Sequence, residues 1–161
     1  MSSQAAAPLV EVRLLGIPLD IQRKSSEHND GLRREFQLLV AQGQADPSSV
    51  PARLVALAAD LDRRFLAFTE STRAEIEDAV QRGETEIDVT LRLPPEVSPA
   101  ARQMGDLLRE ADAYCAAGEH LLTLAAPADV VEFREWVLDE LIRQVEDRAE
   151  PVPWNKRASA S

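Results

Sequence analysis

His28, His120, Cys115 and the adjacent pair Asp139–Glu140 are the residues of this chain whose types could do chemistry, and their spacing limits what that chemistry can be. The two histidines and the cysteine have no partners at the intervals that zinc sites use, so no metal centre is expected. Asp139 and Glu140 are sequence neighbours on an expected helix and point apart, which makes them solvated charge, not an acid–base pair. The serines sit in capping or tail positions without a placed histidine, so a nucleophile–base pair is missing. Neither GxxxxGK[ST] nor GxGxxG occurs, and the six glycines are scattered, so no nucleotide cofactor is expected and none of another kind. His28 remains. It recurs with Ile21, Ser25, Leu32 and Phe36 at steps of three or four, which places an imidazole on the apolar stripe of a helix, either packed at the core boundary or reactive.

The elements that would carry these residues follow from periodicity and punctuation. Val10, Val12 and Leu14 alternate with Glu11 and Arg13, predicting a strand that ends at Gly16 and Pro18. Asp20 is placed to cap a helix running to Gly43, and Ser48 or Ser49 to cap a second helix, Val50 to Arg82, with Pro51 in its first turn. Residues 20–82 therefore read as a helical hairpin. Glu86 to Leu93 alternates strictly and predicts a second strand. Ser98 and Pro99 open a third helix whose inward residues include Met104, Leu107, Ala111 and Tyr114 or Cys115. HLLTL, 120–124, reads as a third strand, and Pro127 and Asp129 start a last helix with the stripe Val130, Phe133, Val137, Leu141 and Val145. The expected fold class is α+β and helix-rich: a sheet of about three strands, in the order β-α-α-β-α-β-α, within a single domain over 8–147. Residues 1–7 and 148–161, the latter with Pro151 and Pro153, are expected to be flexible tails.

The second helix is the element most in need of a partner. At 1.5 Å per residue its roughly 32 residues make a rod of about 48 Å, longer than its neighbour in the hairpin. Its stripe, including Phe65, Phe68, Thr72 and Ile76, must meet the sheet or another chain, and pairing two hairpins into a homodimer would cover it. Trp154 in the tail either folds back onto the domain or serves as a docking anchor. These five residues are the candidate interaction set.

A net charge of −10 excludes phosphate neutralisation as the mode of binding, so neither nucleic acid nor an anionic membrane is the expected partner. Between Gln103 and Asp147 eleven acids stand against three arginines, a balance of −8, and that face meets either solvent or a basic protein. One cysteine permits no internal disulfide, and MSSQAAAPLV has no basic region followed by a long apolar run, so a cytoplasmic location is expected. Together these features predict a non-enzymatic regulatory or adaptor protein that acts by binding other proteins.

Three resemblances add to this. The stretch from Glu27 to Leu32, EHNDGL, resembles the phosphoacceptor box of sporulation-type phosphotransferases, which implies histidine phosphotransfer at His28 as the alternative function. VRLLGIPLDIQRKSSEHNDGLRREFQLL and LLTLAAPADVVEFREWVLDELIRQ resemble segments of uncharacterised proteins of high-GC Gram-positive bacteria associated with partner-switching sigma-factor regulation. That resemblance implies a cytoplasmic regulator working beside anti-sigma kinases and their antagonists. LRLPPEVSPAARQMGDLLREA is similar to the opening strand and helix of anti-sigma kinases, whose glycine-bearing ATP boxes this chain lacks.

Overall fold

The computed structural model describes residues 8–43, 46–118 and 125–158. The elements run β1 (Val10–Pro18), α1 (Leu19–Ala41), α2 (Val50–Gln81), β2 (Glu86–Leu93), α3 (Val97–Ala117), α4 (Ala128–Glu146) and α5 (Trp154–Ala158). The two strands pair antiparallel, with Val10 opposite Leu93, Val12 opposite Leu91 and Leu14 opposite Val89. Because side chains alternate across a strand, this register puts the valines and leucines on one face and Glu11, Arg13, Thr90 and Arg92 on the other. The apolar face forms the main core with Phe65 of α2, Val97 and Ala100 of α3, and Phe133, Trp136 and Val145 of α4. The outer face is exposed.

The expected sheet of about three strands, in the order β-α-α-β-α-β-α, is corrected by this arrangement. The sheet has two strands, β1-β2, and the order is β-α-α-β-α-α-α. HLLTL lies outside the described residues. A third strand beside β1 would also need an edge that is already taken, since the Gln144 side chain bonds both backbone groups of Arg13. The tail from Arg148, expected to lack regular structure, contains α5.

Local chemistry accounts for most boundaries. Ser49 caps α2, accepting from the Ala52 amide, and Pro51 occupies its first turn. Gly83, at φ +75°, turns the chain out of α2 and into β2. Gly16, at φ +71°, sits where the register slips between Leu14 and Ile17, and its amide donates to Asp88 Oδ1 at 2.7 Å. A side chain would be strained there, so glycine makes the bulge possible. The Leu19 amide donates to the Thr85 carbonyl, tying the start of α1 to the turn that leads from α2 into β2. The hairpin is therefore antiparallel, with Leu32 and Phe36 packing on Leu54 and Leu57 in a second cluster with Leu107, Ala111 and Cys115 of α3. No helix among the described residues is long and apolar enough to cross a membrane.

Candidate functional site

His28 lies where α1, α3 and α4 meet. Its helical face carries Ser25, Leu32 and Phe36 into the interior, and His28 itself is half-buried between them. α3 presents Asp112 and Cys115 one turn apart, and α4 presents Arg134. The Arg134 side chain is only 7% exposed, and its Nη2 donates to Asp112 Oδ2 at 2.6 Å. Asp112 Oδ1 also accepts the Ala126 amide at 3.3 Å. Among the described residues neither His28 Nε2 nor Arg134 Nε, both buried atoms, has a hydrogen-bond partner. Burial holds the His28 pKa below its ordinary value; Asp112 opposes this and Arg134 adds to it. The Cys115 thiol is pushed up to about 11, chiefly by burial, with Glu35 and Asp112 contributing.

The cluster thus offers a neutral imidazole, a protonated thiol and a guanidinium with one spare donor. A thiol held protonated is a poor nucleophile. Phosphoryl transfer at His28 Nε2 would require α1 to part from α3 and α4, because that atom is shut off from solvent. Among the described residues no three His, Cys, Asp or Glu side chains are grouped to hold a metal ion; His120 lies outside them.

The candidate interaction residues are mostly taken up within the chain. Phe65 is buried in the sheet core, Phe68 and Ile76 pack against it, and Thr72 is half-buried. The stripe of α2 that needed cover meets the sheet. Trp154 is half-buried: its ring stands edge-on to Trp136 and Phe133 at centroid distances of 5.6 and 5.9 Å. What α2 leaves outside is Leu66 and Val80, 40% and 48% exposed, about four turns apart along the helix. They line a groove of about 840 Å³ between the first half of α1 and the second half of α2. Ile76 and Phe133 add to its apolar lining, and Arg23, Glu27, Asp30, Arg33, Arg73 and Glu77 make it charged elsewhere.

The acidic run is less bare than its sequence balance. Eight of its eleven acids (Asp106, Glu110, Asp112, Asp129, Glu135, Asp139, Glu140 and Glu146) are in ion pairs. Three of these pairs use Lys24, Arg53 and Arg102, cations from outside the run. Hydrogen bonds from Lys24 and Arg102 lower the Asp129 and Glu146 pKa values.

Glu140 overturns the reading of Asp139–Glu140 as solvated charge. It is 1% exposed, with Oε2 accepting from Gln144 Nε2 at 2.7 Å and from the Val152 amide at 3.2 Å, and Oε1 accepting from Arg143. The available signal was the spacing of Trp136, Glu140 and Gln144, four apart along one face of α4. No family model, curated protein or solved structure matches the chain.

Proposed function

We propose that the protein is a non-enzymatic cytoplasmic regulator or adaptor that binds a partner protein's helix in the α1–α2 groove. The observation that carries this reading is the groove itself. Two helices flank a lining in which Leu66, Ile76, Val80 and Phe133 are apolar and the rest polar or charged, an arrangement that can receive an amphipathic helix whose apolar face is narrow. The resemblance to proteins of sigma-factor partner switching supports a partner from that machinery.

The test is site-specific photo-crosslinking in the native cell. A crosslinker at Leu66 or at Val80 should capture the same protein, one at exposed Asp147 should not, and Val80→Asp should abolish capture at Leu66. Equal capture at all three positions rejects the groove as the binding site.

Phosphotransfer through His28 is the second reading, favoured by a neutral imidazole near the spare Nε–H of Arg134. Incubation with a phosphorylated receiver domain decides it: acid-labile label that His28→Ala removes establishes phosphotransfer, and absence of label rejects it.

A further inference from the structure

The hydrogen-bonding direction of the sheet can be read from Arg13. Its amide donates to Gln144 Oε1 and its carbonyl accepts from Gln144 Nε2, both at 2.9 Å, so its backbone points away from β2. Residues directly opposite in an antiparallel pair either exchange both bonds or neither. Thr90, opposite Arg13, therefore points its own amide and carbonyl away from β1. Alternation turns Glu86, Asp88 and Arg92 outward as well, and the Leu19 bond to the Thr85 carbonyl continues the inward set. Among the described residues nothing hydrogen-bonds these outward backbone groups, and all four side chains are exposed.

An edge strand with unpaired backbone groups is a template for another strand, and the charge order of β2 selects which. The strand is acidic at its start, Glu86 and Asp88, and basic at its end, Arg92, so its complement is an antiparallel copy of itself. We propose that β2 pairs with β2 of a second copy about a two-fold axis at Val89, giving a four-stranded sheet in the order β1-β2-β2-β1. In this register Glu86 faces Arg92 of the second copy twice, and Asp88 faces Thr90 twice. A shift one way sets Asp88 against Asp88. A shift the other way sets Glu86 against Pro94, which has no amide to donate.

This pairing does not depend on the α1–α2 groove, and each can fail without the other. An interface built on a strand edge is smaller than a standard one, so a dissociation constant on the order of 10–100 µM is expected.

Sedimentation velocity on the full chain over a concentration series tests the pairing. The wild type should show a monomer–dimer equilibrium. Thr90→Pro removes an outward donor while sparing the β1 ladder, and should leave only monomer with unchanged circular dichroism. Arg92→Glu should weaken association about tenfold, and the double variant Glu86→Arg/Arg92→Glu should restore it to within about twofold, because the swapped charges again face each other. If Thr90→Pro fails to fold, the charge swap decides alone. A wild type that stays monomeric, a dimer indifferent to Thr90→Pro, or a double variant no better than Arg92→Glu overturns the proposal.

Discussion

The two edges of the sheet are managed in opposite ways. On the β1 side Gln144 substitutes for a neighbouring strand, offering one acceptor and one donor to Arg13 across 131 residues of sequence. Glu140 orients that amide and holds the Val152 amide. Trp136 donates Nε1–H to the Val152 carbonyl, and Trp154 closes over the ring. Among the described residues the β2 side has no such chain of contacts, only alternating exposed Glu86, Asp88, Thr90 and Arg92. A buried polar side chain can seal an edge when every one of its partners is supplied, whereas charge alone guards an edge against the wrong neighbours and leaves it available to a matching one.

Breaking the sealed edge should cost most. Trp136→Ala removes a fully buried indole and its bond to Val152, and denaturant melts should show a loss of about 4 kcal/mol. A loss under about 1 kcal/mol would mean that the tail contributes nothing to the seal. Glu140→Leu strips acceptors from Gln144, Arg143 and Val152, with an expected loss of about 3 kcal/mol by the same measurement. Gln144→Leu leaves both Arg13 backbone groups without a partner, for about 2 kcal/mol and faster hydrogen exchange at the Arg13 amide. Unchanged exchange there would show that some other group seals the edge.

Acid sensitivity should come from a third place. His28, under the charges of Asp112 of α3 and Arg134 of α4, has a folded pKa below its ordinary value near 6.5, chiefly through burial. The unfolded chain thus binds the extra proton first. Stability should fall as pH drops below about 6.5 and level off under the folded pKa. His28→Gln should flatten that limb of the pH–stability curve, and an unaltered limb would assign it elsewhere. The smallest effect belongs to the open edge: Thr90→Pro should change stability by no more than about 0.5 kcal/mol. A loss as large as that of Gln144→Leu would erase the distinction between the edges.

Much of the framework was legible because local chemistry is sufficient for it. Strict alternation marks β2 at Glu86–Leu93, Ser49 and Pro51 open α2, and Gly83 closes it. The imidazole on the apolar stripe was also visible, but Asp112 and Arg134 beside it were not, since nothing in their spacing ties them to residue 28. Glu140 was misread by type and Gln144 carried no signal of its own, because glutamate and glutamine are mostly exposed and only a specific set of partners justifies their burial.

By itself the sequence determined which residues share a face, since the periods of helix and strand are properties of the backbone. It determined the turns for the same reason, as at Gly16 and Gly83, where only a residue without a Cβ takes a positive φ without strain. Tertiary structure alone decided what each face meets: that the stripe of α2 lies on the sheet, that α4 turns Gln144 onto Arg13, and that among the described residues no helix side chain answers Thr90. Those outcomes depend on contacts between residues far apart in the chain, whose free energy is set by packing and by whether each buried polar group finds its partner.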